Sequence, residues 1–230
     1  MHPTPRVLVV CSALALAACS AFSDDEKPKP AAPSTDPGSG WKPLFNGKDL
    51  DGWRIRNTAS LPAGTPPGTK PKKIPPGPNG WSVKNGVLVN TPKSSDLDTV
   101  EEFYNFELHA EFRVPKGSNS GIYMRGKYEI QITDAFGKPP DPSECGALYK
   151  RVAPRVNASK APGEWQTFDI TFEGRKLKVL QNGQPILDVP DAGGHGTGAQ
   201  SGAEDGPGPI RLQGDHGPVE FRNLRIKTRR

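Results

Sequence analysis

The sequence lacks any sustained run of apolar residues at the helical period of 3.6, which argues against a helical bundle. Glycine and proline are instead abundant, with 26 of each in 230 residues, and the hydrophobic fraction is 33%. This composition favours an all-β fold with many turns. The length suits one sizeable domain once a leader and a linker are set aside.

The sequence also lacks a basic stripe with interleaved aromatic residues, because its lysines and arginines are scattered despite a net charge of +5. Nucleic-acid binding is therefore not expected. Only three cysteines are present, and two of them, Cys11 and Cys19, lie in or directly after the leader described next. The remaining Cys145 has no partner for a disulfide within the mature domain, and we expect it to be a buried structural thiol.

The N-terminal apolar run, from Val7 to Ala18, is too short to cross a bilayer as a mature helix. With Arg6 before it and Leu16-Ala17-Ala18-Cys19 at its end, it predicts a secretory signal peptide over residues 1–18. The end of this run resembles the bacterial lipobox, which implies cleavage before Cys19 and lipidation of its thiol. Ser20 follows where inner-membrane lipoproteins usually carry Asp, so the resemblance implies the outer membrane, facing the periplasm. Cleavage at a nearby small residue, giving a soluble periplasmic protein, is the alternative.

Two segments have compositions that argue against folded structure or a central strand. Residues 19–40 are rich in Pro, Lys, Asp, Ser and Ala, and we predict a disordered tether between the lipid and the domain. Residues 57–79 are dominated by Pro, Gly, Thr and Lys, which predicts a surface insertion of undetermined role. The folded domain is predicted over residues 41–228.

Several stretches alternate apolar and polar residues with the period of a half-buried strand, for example Phe106–Val114 and Trp165–Glu173. Asn85-Gly86 and Asn182-Gly183 stand between apolar stretches, which is the strongest short-range signal for a β-hairpin. About a dozen such strands predict two antiparallel sheets packed as a sandwich or jelly roll. In that architecture a concave sheet face often holds the ligand.

The stretch from Asn119 to Asp134 contains two alternating runs joined at Arg125-Gly126-Lys127, and we predict a β-hairpin. One face would be apolar: Ile122, Met124, Tyr128, Ile130 and Ile132. The other would be polar: Tyr123, Arg125, Glu129, Gln131 and Thr133. Such a mixture of ring, cation, carboxylate and amide suits hydroxyl-rich ligands or acid–base chemistry. The alternative is a solvated sheet face with an Arg125–Glu129 salt bridge.

Eight landmarks occur in order along the domain: WKPLFNGKDLDGW (41–53), NSGIYMR (119–125), YEIQITD (128–134), GALY (146–149), GEWQ (163–166), QNG (181–183), LQGDHG (212–217) and VEFRNL (219–224). Together they resemble the 3-keto-disaccharide hydrolase family, also known as domain of unknown function 1080. The resemblance covers Trp41 to Lys227 and implies a concanavalin A-like jelly roll that cleaves glycosides oxidised at C3. Gln166, where Asn is usual, and the long 57–79 insertion depart from the family pattern.

Cleavage of a 3-keto-glycoside requires a base near C2, a donor for the enolate oxygen and an acid for the leaving oxygen. Residue type and motif position assign Glu129 or His216 as the base and Arg125 and Gln131 as the donors. Tyr149 would stack on the sugar or act as the acid. The remaining candidate substrate-binding residues are Asn119, Tyr123, Asp134 and Gln213. A divalent metal ion stays open as a cofactor, because Asp134, Glu144 and His216 are suitable ligand types without diagnostic spacing.

Two other functions are compatible with the sequence. The same jelly roll serves carbohydrate-binding modules, whose polar face only has to bind a glycan on the cell envelope. Ordinary glycoside hydrolysis would instead use Glu129 and Asp134 as a carboxylate pair. A titratable group with a perturbed pKa beside a cation would distinguish an enzyme from a module, because a binding module does not need one.

Overall fold

The computed structural model describes residues 40–56, 79–193 and 206–229. The predicted leader, the tether before Gly40 and all but the last residue of the 57–79 insertion lie outside these ranges. The strands are β1 (Lys42–Pro43), β2 (Trp53–Ile55), β3 (Trp81–Lys84), β4 (Val87–Asn90), β5 (Leu97–Thr99), β6 (Phe106–Arg113), β7 (Asn119–Met124), β8 (Tyr128–Thr133), β9 (Gln166–Glu173), β10 (Lys176–Gln181), β11 (Gln184–Val189), β12 (Arg211–Leu212) and β13 (Val219–Thr228). Within the described ranges there is no helix of the length and apolarity that a membrane span requires.

The strands form two antiparallel sheets, which confirms the predicted all-β sandwich. The larger sheet has eight strands in the order β11-β10-β9-β6-β13-β4-β3, with β1 also paired to β13. The smaller sheet has five strands in the order β2-β5-β12-β7-β8. Strands that neighbour each other in space are thus often far apart in sequence, as in a jelly roll.

The two predicted Asn-Gly hairpins are confirmed and join β3 to β4 and β10 to β11. Asn85 and Gly86 have φ values of 51° and 77°, and Asn182 and Gly183 have φ values of 52° and 79°. A two-residue turn with both central φ angles positive matches the right-handed twist of the flanking strands, and Asn and Gly tolerate that region best.

A single hydrophobic core fills the space between the sheets. The larger sheet contributes alternate residues of β6 and β9, including Phe106, Phe112, Phe168 and Phe172, all of which are fully buried. The rings of Phe112 and Phe168 lie 4.6 Å apart between centroids. The inward faces expected from the alternation of these strands are therefore confirmed.

The predicted Asn119–Asp134 hairpin is also confirmed as β7 and β8, which pair from Asn119 with Thr133 to Met124 with Tyr128. Its predicted apolar face is buried in the core, where the Tyr128 ring lies 5.1 Å from that of Phe172 on the opposite sheet. The polar residues within the two strands, Tyr123, Glu129, Gln131 and Thr133, are consequently turned to the outside of the smaller sheet. This placement makes the outer face of the smaller sheet the place to look for a site.

The one cysteine in the described part of the chain, Cys145, is buried and not in a disulfide. Burial raises the pKa of its thiol to about 11, so the nucleophilic thiolate is disfavoured at neutral pH. The Gln181 side-chain amide lies 3.4 Å from its sulfur. Cys145 is therefore the structural thiol that the sequence predicts.

Candidate functional site

A row of polar side chains crosses the outer face of the smaller sheet. The strand registers align one residue from each of β2, β5, β12, β7 and β8 in this row, namely Arg54, Asp98, Arg211, Tyr123 and Glu129. The next row is Ile55, Leu97, Leu212, Ile122 and Ile130, whose strand alternation turns it to the core. Because successive side chains of a strand point to opposite faces, the polar row lies on one face of the sheet and the adjacent apolar row lies on the other.

Glu129 is the central carboxyl of this face and is only 2% exposed. Its side chain lies across the neighbouring strand, above Gly121. A Cβ atom at Gly121 would stand 2.4 Å from Glu129 Oε1 and 3.0 Å from its Cγ. Gly121 is therefore required for space, since any larger residue would displace the carboxyl.

The environment of Glu129 raises the pKa of its carboxyl from 4.5 to about 7. Burial is the largest cause, because it removes water from the charged form, and the carboxylates of Asp96 and Asp215 act in the same direction. A hydrogen bond from Tyr123 and the nearby His216 act in the opposite direction. The result is a buried carboxyl that exchanges a proton near neutral pH, which is a property suited to a general base.

Tyr123 and Gln213 form a hydrogen-bonded chain that ends at Glu129. The Gln213 side-chain amide donates to Tyr123 Oη at 3.0 Å, and the Tyr123 hydroxyl is hydrogen-bonded to Glu129. Burial and the adjacent Glu129 carboxylate raise the Tyr123 pKa, so the phenol stays protonated and can donate to that carboxylate. The side-chain oxygen Oε1 of Gln213 is buried and has no hydrogen-bond partner in the described structure. Gln213 thus orients the base through Tyr123.

A buried ion pair lies next to this chain of hydrogen bonds. Arg211 donates to both carboxylate oxygens of Asp98, at 2.7 and 3.3 Å. Its guanidinium also lies 5.6 Å from the centre of the Tyr123 ring. Asp96 accepts from Arg56 at 3.1 Å and from the backbone N–H of Gly214 at 3.1 Å. These contacts fix Tyr123 and the start of the segment that carries His216.

His216 lies on the loop between β12 and β13 and is about half exposed. Its Nδ1 is hydrogen-bonded to the carboxylate of the equally exposed Asp215. A carboxylate partner fixes Nδ1 as the protonated nitrogen, so Nε2 is the atom that can exchange a proton with a ligand. His216 therefore lies at the solvent edge of the site, close enough to Glu129 to affect its pKa.

The prediction that Arg125 shares the groove with Glu129 is wrong. Arg125 follows the last residue of β7 and has a φ of 53°, so the alternation of the strand does not extend to it. Its guanidinium donates to the carbonyl oxygens of Tyr104 at 2.9 Å and Gly174 at 2.6 Å. It also stacks on the rings of Tyr104 and Phe172. Arg125 is thus a buried packing residue between the sheets, and the alternative of an exposed Arg125–Glu129 salt bridge is wrong for the same reason.

The other predicted binding residues lie on or near the hairpin. Gln131 shares the outer face with Glu129. Its side-chain nitrogen donates to the backbone carbonyl oxygen of Ser143 at a long 3.3 Å. Its side-chain oxygen is buried and has no partner in the described structure. Asn119 is half-buried and pairs with Thr133 at the other end of the hairpin. Tyr149 contacts Glu129 through its backbone, donating its N–H to the Glu129 carbonyl at 3.0 Å.

The three residues considered as metal ligands do not converge. The Asp134 carboxylate accepts from the backbone N–H of Gly117 at 3.0 Å. Glu144 accepts from the Thr133 hydroxyl at 2.6 Å and from Lys138 at 2.9 Å. Across residues 40–56, 79–193 and 206–229, no group of three His, Cys, Asp or Glu side chains is arranged to hold a metal ion.

The sequence analysis missed several residues of this site: Asp96, Asp98, Gly121, Arg211 and Asp215. One signal was available for Arg211, because it stands two positions before Gln213 and must share its face in a strand. Gly121 likewise lies two residues from both Asn119 and Tyr123, so it must share their face of the strand. No local signal places Asp98 here, since it meets Arg211 only through a pairing 113 residues apart in sequence.

Comparisons with known proteins identify relatives of this chain. The model of the 3-keto-α-glucoside-1,2-lyase-like domain matches residues 40–227. A 3-keto-disaccharide hydrolase of Bacteroides thetaiotaomicron is 22% identical over 244 aligned residues, covering 82% of this chain and 78% of that protein.

Solved structures support the same fold. The crystal structure of a candidate glycosyl hydrolase from Parabacteroides distasonis aligns with a TM-score of 0.63 and 28% identity, covering 83% of this chain and 84% of the other. A non-specific endo-β-1,3(4)-glucanase of glycoside hydrolase family 16 aligns with a TM-score of 0.51 and 14% identity, covering 83% and 92%. The latter likeness concerns the jelly roll alone. The match across residues 40–227 shows that this chain belongs to the 3-keto-α-glucoside-1,2-lyase-like family of glycoside-cleaving enzymes.

Proposed function

We propose that the protein cleaves 3-keto-glycosides by elimination through an enolate, with Glu129 as the base. The observation that carries the proposal is the buried Glu129 carboxyl, whose pKa of about 7 makes it a proton acceptor at neutral pH. Its hydrogen bond from Tyr123 and the exposed His216 nearby supply the orientation and the second proton-transfer group.

The chemistry follows from the ketone at C3 of the sugar. The ketone acidifies the hydrogen on C2, so ionised Glu129 can take that proton while the C–H electron pair forms the enolate. The enolate then re-forms the ketone and expels the C1 oxygen, which takes a proton from Nε2 of the His216 imidazolium. The product is an unsaturated 3-keto sugar. Addition of water across its double bond completes a net hydrolysis, which is why one site can support both a lyase and a hydrolase outcome.

The polar groups around Glu129 suit such a substrate. The enolate oxygen requires a hydrogen-bond donor, and the Gln131 amide is on the same sheet face with only a long bond to Ser143 to exchange. Asp134, in contrast, follows the last residue of β8, and its carboxylate accepts from the backbone N–H of Gly117. A Glu129–Asp134 pair for ordinary glycoside hydrolysis therefore has less support.

The direct test compares a glucoside with its 3-keto derivative, using the purified protein in D₂O with and without a chelator and added divalent metal. We expect cleavage of the 3-keto sugar alone, with solvent deuterium appearing at C2, and loss of both signals in Glu129→Gln. Equal cleavage of the unoxidised glucoside would instead indicate ordinary hydrolysis. Binding of both sugars without cleavage of either would support a carbohydrate-binding module, although such a module does not need a carboxyl of pKa about 7.

The proposal includes the cellular location. The leader and the Leu16–Cys19 motif support export and lipidation at Cys19, with Ser20 favouring the outer membrane. The enzyme would then act on glycosides in the periplasm while tethered to the membrane. Replacing Cys19 by Ala should move the protein from the membrane to the soluble fraction. Retention of the variant in the membrane fraction would contradict lipid anchoring.

A further inference from the structure

Asn90 is an amide at a position where the strand pattern calls for an apolar residue. It is the last residue of β4 and shares the inward parity of Leu88, which belongs to the core. Asn90 is itself only 2% exposed. Its side-chain oxygen has no hydrogen-bond partner in the described structure. A buried amide with an unpaired oxygen is costly, so the position requires an explanation.

The explanation lies in the two hydrogens of its side-chain nitrogen. The Asn90 amide donates to the carbonyl oxygen of Gly214 at 2.9 Å and to that of Gly217 at 3.1 Å. These carbonyls belong to the first and last residues of the Gly214–Gly217 loop that presents Asp215 and His216. Asn90 belongs to the larger sheet, whereas Glu129 is on the smaller one. One side chain of the larger sheet therefore holds both ends of the His216 loop, which runs from β12 of the smaller sheet to β13 of the larger one.

Glycine allows both ends of this loop to approach its surroundings closely. A Cβ at Gly214 would lie 2.4 Å from the carbonyl oxygen of Ser95. A Cβ at Gly217 would lie 2.5 Å from Ser118 Oγ and 2.9 Å from the backbone nitrogen of Asn119. The two ends are thus pressed against neighbouring segments. Only Asp215 and His216 remain to project toward a ligand.

The flanking residues are held as well, which leaves the loop with little freedom. Ser120 Oγ donates to the backbone carbonyl oxygen of Gln213 at 2.9 Å, and Ser118 Oγ donates to the backbone carbonyl oxygen of Pro218 at 2.6 Å. Between these two hydrogen bonds, the Asn90 side chain links the two ends of the loop by donating to both Gly214 and Gly217. Two converging carbonyls require a group with two N–H donors, and a primary amide supplies them without burying a charge.

We propose that Asn90 is a positioning residue that acts through His216, by holding the Gly214–Gly217 loop in the geometry in which His216 faces the substrate. This inference rests on the proposed function only in assigning His216 a role in catalysis. Removal of Asn90 would free the loop without touching substrate, Glu129 or His216 directly. A displacement of about 1 Å in a catalytic group is enough to reduce a rate by roughly 100-fold.

The test is a double-mutant cycle on kcat/KM for a 3-keto-glucoside with Asn90→Ala, His216→Ala and the double variant. We expect Asn90→Ala to lower kcat roughly 10- to 100-fold with a smaller change in KM. The double variant should be no slower than His216→Ala alone, because the two residues act as one unit. Multiplicative losses, or an unchanged kcat in Asn90→Ala, would overturn the proposal.

Asn157 provides a matched control. Its side-chain nitrogen also donates to two backbone carbonyls, those of Ala135 at 2.5 Å and Lys138 at 2.8 Å, but in a different turn. Asn157→Ala should lower the melting temperature while leaving kcat within about twofold. An equal loss of kcat in this control would show that general loosening, and not the His216 loop, is responsible.

A measurement independent of activity separates this inference from the proposed function. Hydrogen–deuterium exchange of the 211–218 peptide should become faster in Asn90→Ala and stay unchanged in Asn157→Ala. Unchanged exchange in Asn90→Ala would overturn the role of Asn90 even if the wild type cleaves 3-keto sugars. An inactive wild type with faster exchange in Asn90→Ala would overturn the proposed function and leave the structural role of Asn90 intact. Asn90→Ser, which keeps one donor, replaces Asn90→Ala if the latter does not fold, with the same outcomes expected at smaller amplitude.

Discussion

Glu129→Gln should make the protein more stable at alkaline pH while removing its activity. In the folded state the pKa of Glu129 is about 7, against an ordinary value of 4.5. Between these two pH values the folded chain keeps a proton that the unfolded chain has released. The free energy of unfolding therefore falls as pH rises through this window. Glutamine has a similar shape and cannot ionise, so the variant avoids this fall.

The size of the effect follows from the same two values. The gap between 4.5 and about 7, at roughly 1.4 kcal/mol for each pH unit, corresponds to about 3 kcal/mol of unfolding free energy. The stability difference between the variant and the wild type should grow by this amount between pH 4 and pH 8. For a domain of this size it amounts to a relative gain of roughly 6–12 °C in melting temperature.

The assay is thermal or urea unfolding of both proteins across pH 4 to 8, with kcat/KM measured over the same range. The acidic limb of the wild-type kcat/KM profile should have its midpoint near pH 7, because the ionised carboxyl is the base. Glu220→Gln is a suitable control, since Glu220 pairs with Arg113 on the larger sheet. It should lower stability by at most about 1 kcal/mol, because it removes this ion pair. A pH-independent difference for Glu129→Gln would refute the argument that Glu129 is a buried carboxyl poised near neutrality.

Three further substitutions test individual contacts. Gly121→Ala should lower kcat by roughly 100-fold, with only a small change in melting temperature, because the three atoms nearest to the new Cβ all belong to the Glu129 side chain. Unchanged kinetics would refute the contact. Arg125→Ala should cost at least about 2 kcal/mol of stability, measured by urea unfolding, because it leaves two backbone carbonyls without their donor and removes packing on Phe172. Turnover below the melting temperature should persist in this variant. Phe168→Ala should cost about 3–5 kcal/mol, since the ring is fully buried, and an unchanged melting temperature would contradict its place in the core.

The sequence predicts those features of the fold that depend on neighbouring residues. Strand alternation identifies the inward faces of β6 and β9, and Asn-Gly pairs identify two hairpins, because side-chain parity and turn geometry are local properties. The hairpin of β7 and β8 is predicted for the same reason. The exception is Arg125. Its backbone has a positive φ, so the alternation of β7 ends at Met124, one residue earlier than the sequence pattern predicts.

Features that depend on the order of strands in space are beyond these local rules. Nothing near Asp98 or Arg211 in sequence indicates that β12 lies between β5 and β7. That order aligns both residues with Tyr123 and Glu129 and creates the polar row of the site. The partners of Asn90 are likewise 124 and 127 residues away. The type of residue at the site could thus be predicted from sequence, whereas its supporting contacts required the topology.

Three charged groups on the outer face of the smaller sheet, Asp98, Arg211 and Glu129, are buried. Arg211 and Asp98 compensate for this burial by pairing with each other. Glu129 is equally buried yet forms no salt bridge in the described structure, and its hydroxyl partner Tyr123 is a weaker compensation than a cation. A fold selected for stability alone would favour an amide or an apolar residue at this position. Glu129 instead keeps an ionisable oxygen that is oriented by Gln213 through Tyr123 and given space by Gly121, and that combination serves proton transfer better than it serves packing.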